Sequence, residues 1–485
     1  MPLPTFTEDQ AVQQLIRGYF GGYTYGWALD ASRTLTYSFT ASVSTAERAL
    51  IETALDSWSA VSGITFLRVT SGGQIGFQNS AAGAYCAMSG TGINMVAATV
   101  NVASSWFNTY GGTPGSYSYQ TYVHEIGHAL GLGHTGNYNG SARFASDALY
   151  ANDSWQTSVM SYFAQSENPN TGASYAYLLT PMAFDIAAMR ALYGAPAAVH
   201  GGNTTYGSGS TAGDGLDYLG TANHRANVAF TLMDTDGIDT LDFSARAEAA
   251  RIDLTPGAIS DLFGQRGNMV IYTGTVIEHV RSGAGADRIT GNTAANRIAA
   301  GAGNDTLAGG AGDDTLSGAA GDDRLAGEGG NDLLTGGAGA DIFAFGTGFG
   351  TDTVADLVAS IDYVDLSASA AIADWSALLA LMADTAAGVR IATAEGTILI
   401  SGLLISMLDP THFLFAGGSG AGGGSGGSGG SVGLVLAGSA GRDTLLGGQG
   451  ADTIDGGAGN DSITAAAGND SVTGGAGNDT IQLQD

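Results

Sequence analysis

Lysine is absent from this chain of 485 residues, and all 16 of its basic residues are arginine. Against them stand 45 acids, for a formal net charge of −29, although charged residues make up only 13% of the sequence. Recognising phosphate needs a basic footprint, so no nucleic-acid partner is expected, nor binding to an anionic membrane surface. Cysteine occurs once, at Cys86. A single thiol excludes an intramolecular disulfide framework, and its first reading is a small buried hydrophobe. No apolar run approaches the roughly 18 residues of a membrane span, so membrane insertion is not expected. The opening MPLPTFTEDQ carries neither the basic nor the apolar region of a secretory signal. The expectation is a cytosolic protein or export by a route that does not read the N-terminus.

Glycine is plentiful: 78 residues, more than twice the usual share of about 7%. Acids and glycines concentrate after residue 200, where 34 acids face 10 arginines. Such self-repulsion calls for counter-ions, and divalent cations are the obvious candidates. Residues 1–198 read instead as an ordinary mixed domain. Ser44-x-x-Glu47 forms a capping box, followed by Leu50, Ile51, Ala54, Leu55, Trp58 and Val61 at helical spacing. Strand-like runs follow at 64–69, 74–78 and 98–102, and 181–193 reads as a helix ended by Gly194. The lead-in and first repeat tract occupy 199–345, a non-repeating stretch 346–416, a Gly/Ser linker 417–431 and a second repeat tract 432–485.

The strongest local signal is His124-Glu125-Ile126-Gly127-His128-Ala129-Leu130-Gly131-Leu132-Gly133-His134. Four residues of helix put His124 and His128 on one face, one turn apart. On a continued helix His134 would lie about 15 Å further along, out of reach. Gly131 and Gly133 allow the chain to end the helix and swing His134 back. Three neutral nitrogens leave a tetrahedral zinc ion one open position for water, whose pKa it lowers to about 7. Glu125, beside the first ligand, is placed to take that proton.

This run matches in full the signature H-E-x-x-H-x-x-G-x-x-H of the metzincin peptidases, and Ser158-Val159-Met160-Ser161-Tyr162 resembles their methionine turn. Within the metzincins the chain resembles the serralysin family over most of residues 5–416. The matches include TEDQAVQQLIR, HEIGHALGLGH, SVMSY and Asp185-Ile186-Ala187-Ala188 leading to Leu192-Tyr193-Gly194. The resemblance implies an α+β catalytic domain with one zinc, and Met160 as the floor beneath the imidazoles. Tyr162 would be the phenol that binds zinc at rest and swings away to stabilise the oxyanion. It further implies a substrate-binding edge strand, for which Gly83, Ala84, Tyr85, Cys86 and Ala87 are the best match. Cys86 stands there where a small residue is usual. Asp185 is read either as a support behind the zinc ligands or as a helix cap.

The second half carries a nine-residue repeat of the form G-G-x-G-x-D-x-U-x, the RTX repeat of a parallel β-roll. Its acidic position falls at Asp287, Asp305, Asp314, Asp323, Asp332 and Asp341, with Asn296 interrupting. It resumes at Asp443, Asp452, Asp461, Asp470 and Asp479. Glycines allow tight turns whose carbonyls face an ion, the aliphatic residue fills the interior, and successive aspartates are expected to stack and repel unless several calcium ions lie between them. Ahead of the roll, Asp234 and Asp239 lie in a segment resembling the serralysins' calcium site, with Asp236 where glycine is usual. By the same resemblance, 346–416 is the roll's cap.

These readings converge on a secreted zinc endopeptidase acting on proteins and peptides, with a calcium-dependent all-β roll. A calcium-dependent surface or adhesion protein with a vestigial peptidase domain is the alternative. Residues 432–485 are read as an anchor to a calcium-rich cell-surface layer. Export by a type I route is expected, although the ending NDTIQLQD is unlike that of the serralysins. The uncapped end suggests a truncated or processed form, and the early match to mature domain suggests no appreciable pro-segment.

Overall fold

The computed structural model describes residues 3–221, 227–369, 372–415, 435–437, 444–446, 453–457, 459–466 and 470–483. The linker 417–431, Asp443 and Asp452 lie outside the described residues. Two compact units are distinguished, Met1–Gly301 and Ala302–Asp485.

In the first unit, parallel strands Thr65–Arg68, Thr34–Phe39, Ile75–Gln78 and Asn94–Val102 lie side by side. Strand Ala84–Thr91 runs antiparallel on Asn94–Val102 and forms an edge. Leu35, Ile75, Phe77, Val100 and Val102 are buried on this sheet. Helix Thr45–Ser62 starts at the expected capping box, with Ser44 N–H donating to Glu47 Oε2 at 2.8 Å, and ends at Gly63 in left-handed backbone. All six of its expected core positions are buried. Its Trp58 Nε1 donates to Val123 O at 2.9 Å, tying it to helix Tyr117–Ala129. A third helix, Ala183–Tyr193, stops at Gly194.

Residues beyond 198 also join this unit. Val228–Leu232 pairs with Tyr177–Leu178, and Gln156 Nε2 donates to Gly267 O. Short parallel strands follow, Thr205–Gly207, Thr240–Asp242 and His279–Arg281 in one row and Arg251–Asp253 with Arg288–Thr290 in another.

The second unit holds the first β-roll. Thr306–Ala311, Arg324–Gly329, Ile342–Ala344 and Tyr363–Asp365 make one parallel sheet. Thr315–Ala320, Leu333–Ala338, Gly350–Val354 and Gly396–Ser401 make the other. Leu307 pairs with Leu325 and Leu325 with Phe343, so one full turn takes 18 residues and each nine-residue repeat is half a turn. Leu307, Leu316, Leu325, Leu334 and Phe343 are all buried between the sheets. The stretch read as a cap adds the antiparallel strands Gly388–Ala392 and Met382–Asp384. The second tract repeats the architecture: Val435–Ala437, Thr453–Asp455 and Ser471–Thr473 face Thr444–Leu446, Ser462–Ala466 and Thr480–Leu483. Leu445, Ile454, Ile463 and Ala465 form its small core.

Candidate metal centre and active cleft

Each of the three histidines is oriented by a backbone carbonyl. His124 Nδ1 bonds Val159 O at 2.7 Å, His128 Nδ1 bonds Leu132 O at 2.7 Å and His134 Nδ1 bonds Tyr138 O at 2.8 Å. Such a bond settles which ring nitrogen carries the proton and leaves Nε2 as the ligand. Ligand atoms of the three rings lie within 4.8 Å of one another. Burial lowers the pKa of all three, His124 to about 4 and His128 to about 3, with His134 lower still. At neutral pH they are therefore uncharged, the form a metal requires.

Helix Tyr117–Ala129 carries His124 and His128, and Gly131 turns the chain with φ of 97°. Gly133 serves differently from expectation. It is not among the positive-φ glycines, and its contribution is space, because a Cβ there would lie 2.4 Å from Tyr19 Cδ1. Glu125 is buried, and its Oε2 has no hydrogen-bond partner. Burial pushes its carboxyl up to about 8, a shift that an opposite charge within about 4–6 Å would reverse. Orphaned carboxylate and convergent imidazoles together fit a zinc ion.

Met160 is fully buried against the helix that carries His124 and His128. A Cβ at Gly127 would stand 2.6 Å from Met160 Sδ and 3.1 Å from Trp58 Cζ2, so glycine at this helical position lets the methionine approach. Tyr162 stands beside the cluster, its ring 4.5 Å from that of His134 and 6.0 Å from that of His124. Its hydroxyl accepts Gly140 N–H at 3.3 Å.

Asp185 combines both of its readings. Oδ2 caps its own helix through Met182 N–H at 2.8 Å and also accepts Val159 N–H at 2.7 Å. Oδ1 accepts the Ser158 hydroxyl at 2.6 Å. Val159 in turn orients His124. The sequence reading missed Asp153, which is fully buried and accepts hydroxyls from Thr135 at 2.6 Å, Ser161 at 2.7 Å and Tyr138 at 3.2 Å. Asp153 thereby ties the segment that orients His134 to the methionine turn. No local spacing announces it.

The residues expected as a substrate strand fall at the sheet edge. Ala84 lines a cleft of about 410 Å³ together with His124, Glu125 and Tyr162. Among the described residues, Ala84–Thr91 pairs only with Asn94–Val102, leaving its other backbone edge open. Gly83 turns the chain into it with φ of 75°. Tyr85 and Ala87 alternate to the opposite face, where the Tyr85 hydroxyl accepts from Gln78 Nε2. Cys86 lies on the cleft side, and burial together with the Glu125 charge pushes its thiol pKa well up.

In the roll, successive aspartates do not stack, contrary to expectation. Alternate ones do, because a full turn takes two repeats. Asp305 N–H donates to Asp323 Oδ1 at 2.8 Å and Asp323 N–H to Asp341 Oδ1 at 2.9 Å. On the other sheet, Asp314 N–H donates to Asp332 Oδ1 at 2.8 Å. Both rows continue beyond the recognisable repeats, Asp332 N–H donating to Asp352 Oδ1 and Asp341 N–H to Asp362 Oδ1, each at 3.0 Å. Oδ2 of Asp323, Asp332, Asp341 and Asp352 is buried with no hydrogen-bond partner, a donor set suited to a hard cation. Burial pushes Asp323 and Asp352 up to about 7 and Asp341 up to about 6. Asp287 Oδ1 accepts Ala250 N–H at 2.7 Å, and Asn296 holds Asn292 N–H at 2.8 Å. In the second tract Asp461 N–H donates to Asp479 Oδ1 at 3.0 Å, and Asp470 takes its repeat position. Ahead of the roll, Asp234 accepts the Tyr206 hydroxyl at 2.6 Å and Asp239 the Thr204 N–H at 2.7 Å. Asp236 is turned to Gly202 N–H at 3.2 Å.

Three family models match the chain: matrixin over residues 27–142, the serralysin C-terminal region of peptidase family M10 over 195–379, and the RTX calcium-binding nonapeptide repeat over 435–463 and 446–481. The chain is 34% identical to metallopeptidase AprA of Pseudomonas marginalis, over 59% of this chain and 66% of that protein. It is 34% identical to metalloprotease AprA of Pseudomonas entomophila, over 59% and 64%, and 43% identical to serralysin C of Dickeya chrysanthemi, over 38% and 39%. The chain thus spans at most about two thirds of the length of these curated relatives.

Proposed function

The chain belongs to the serralysin family, and on that premise we propose that it is a secreted endopeptidase that hydrolyses proteins, using one zinc ion and several calcium ions. The observation that carries this reading is the convergence of His124, His128 and His134 beside the buried, unpartnered Glu125 Oε2. A zinc ion held by the three rings supplies Lewis acidity toward a carbonyl and toward water. Glu125 accepts a proton at Oε2 and returns it to the leaving amine. Tyr162 leaves Gly140 and donates its hydroxyl hydrogen to the developing oxyanion. Met160 holds the rings from below, and residues 83–87 offer their open backbone edge to an extended peptide. Asp234, Asp239, Asp287, Asp305, Asp314, Asp323, Asp332 and Asp341 hold calcium ahead of and within the first roll, as do Asp443, Asp452, Asp461, Asp470 and Asp479 in the second.

The five segments proposed from composition stand as a working division, with 432–485 as an anchor to a calcium-rich cell surface and a type I route as the means of export. The adhesion alternative is less well supported, because a vestigial site has no need to keep a buried general base beside three oriented ligands. Casein hydrolysis by wild type and Glu125→Ala separates the two. Loss of about 10²–10⁴-fold, with zinc retained, is expected. Equal inertness of both proteins, with calcium-dependent surface binding intact, would favour adhesion.

A further inference from the structure

The first roll carries a cavity of about 480 Å³ lined by Arg324, Ala326, Glu328, Ala344, Asp365 and Ser367 among others. Arg324, Ala326 and Glu328 alternate along their strand with the buried Leu325 and Gly327, so the cavity lies on the outer face of the sheet. Unequal strands create it. Arg324–Gly329 runs six residues, whereas its neighbour Ile342–Ala344 runs three and pairs with it at Arg324 and Leu325. The chain then departs at Phe345 and leaves a hollow floored by Ala326 and Ala344.

The rim is charged and partly fixed. Arg324 Nη2 donates to Asp365 Oδ2 at 2.9 Å, and Asp365 Oδ1 accepts the N–H and the hydroxyl of Ser367 at 3.0 and 2.6 Å. The Arg324 side chain remains 44% exposed, with further N–H groups free to donate. Glu328 faces the same hollow, and among the described residues its carboxylate has no ion-pair or hydrogen-bond partner. Its backbone is unusual. Gly310 and Gly337 fill the same repeat position with φ of 106°, and Glu328 takes it with φ of 69°. Ala319 departs there too, but by a single methyl group. A long charged side chain in left-handed backbone costs energy that glycine does not, a cost typically kept where a ligand is held.

Asp365 already neutralises Arg324, so Glu328 is the uncompensated charge of the site. A ligand carboxylate therefore gains nothing overall, and a simple cation meets the guanidinium. A hydroxyl both donates and accepts, so neighbouring hydroxyls can satisfy Glu328 and Arg324 together. The alanine floor suits the C–H face of a ring, and the volume falls within the roughly 300–1,000 Å³ of small-ligand sites. We propose that this hollow binds a neutral sugar unit of a polysaccharide through Glu328 and Arg324. It would give the roll a carbohydrate-binding function separate from peptide hydrolysis.

The test is isothermal titration of the full zinc-loaded chain in saturating calcium. Maltotriose, mannotriose and galactobiose serve as neutral probes, with a galacturonate trimer and free alanine as charged ones. At least one neutral probe should bind with a Kd of about 1 mM or tighter. Glu328→Gly restores the repeat glycine, so the calcium-loaded roll should be at least as stable as wild type. That variant should nonetheless weaken sugar binding at least about tenfold, and Arg324→Met should do the same. Casein hydrolysis should change in neither. Failure of every neutral probe to bind, binding that survives Glu328→Gly, or tighter binding of galacturonate or alanine overturns the proposal. Each of those results leaves the peptidase reading intact.

Discussion

A methyl group added at Gly127 would press on Met160 Sδ and the Trp58 ring, in a helix that is otherwise close-packed. Overpacking of this kind costs about 1–3 kcal/mol. Gly127→Ala should therefore lower the urea midpoint and loosen the floor of the zinc site, read as faster zinc loss to a chelator. Asp185 allows a sharper test, because its carboxylate serves the Ser158 hydroxyl and the Val159 and Met182 amides at once. Asp185→Ala strands those donors in the interior, at a cost of about 2–5 kcal/mol. It also frees the carbonyl that orients His124, so zinc affinity should fall about 10–100-fold in competition titrations. Unchanged affinity would reduce Asp185 to a helix cap. His124 and His128 were legible because helical spacing makes them neighbours, Glu125 because it adjoins the first of them, and the bend to His134 because Gly131 can end the helix. Asp153 was not, since its partners Thr135, Tyr138 and Ser161 meet it through a loop with no period.

Among elements, helix Thr45–Ser62 and the roll strands follow from patterns of 3.6 and nine residues, and both were readable. What periodicity could not convey was which repeats would touch. Nine residues give half a turn, so neighbours along the chain sit on opposite sheets and neighbours in space are 18 apart. Asp352 and Asp362 escaped notice because they follow their partners by 20 and 21 residues, after the nine-residue count has lapsed. The glycines of the repeat have a defined duty as well: a Cβ at Gly327 would stand 2.0 Å from Asp332 Oδ2, and one at Gly318 would stand 2.1 Å from Asp323 Oδ2. Gly327→Ala should weaken calcium-induced ordering of that turn, seen as a rise in the calcium midpoint by circular dichroism, while the zinc-dependent activity is measured separately. An unaltered midpoint would show that the carboxylate has room to move.

For the molecule as a whole, acidity and calcium should trade places as stabilisers. The buried carboxyls of Asp323, Asp341 and Asp352 titrate near 6–7 in the folded chain, against an ordinary value of 3.8. A raised carboxyl favours the fold below the ordinary value, and that favour is lost as pH rises through the folded one. In chelator, the roll transition should fall in Tm between pH 4 and 7. Saturating calcium should flatten or invert the trend, because binding to the ionised form offsets the loss. Calorimetry at several pH values with and without calcium decides it, and a Tm rising with pH in chelator would count against the assignment. Removal of residues 432–485 should leave peptidase activity in place and abolish calcium-dependent cell association. Association that persists would dismiss the anchor.

The buried aspartate rows also have a direction. In each, a turn's own backbone amide is held by the acid of the turn that comes later in the chain, from Asp305 through Asp323 and Asp341 to Asp362. The exposed rows, such as Asp322 N–H onto Asn304, point the other way but lie in water, where they weigh less. Each coil is thus held from both sides, since its aspartate amide is taken by its successor's acid while its aspartate carbonyl takes the successor's next amide, as Asp305 O takes Arg324 N–H. Damage should consequently spread both ways: clipping the last acid strands an amide in the coil before it, and losing an early coil strands one in the coil after it.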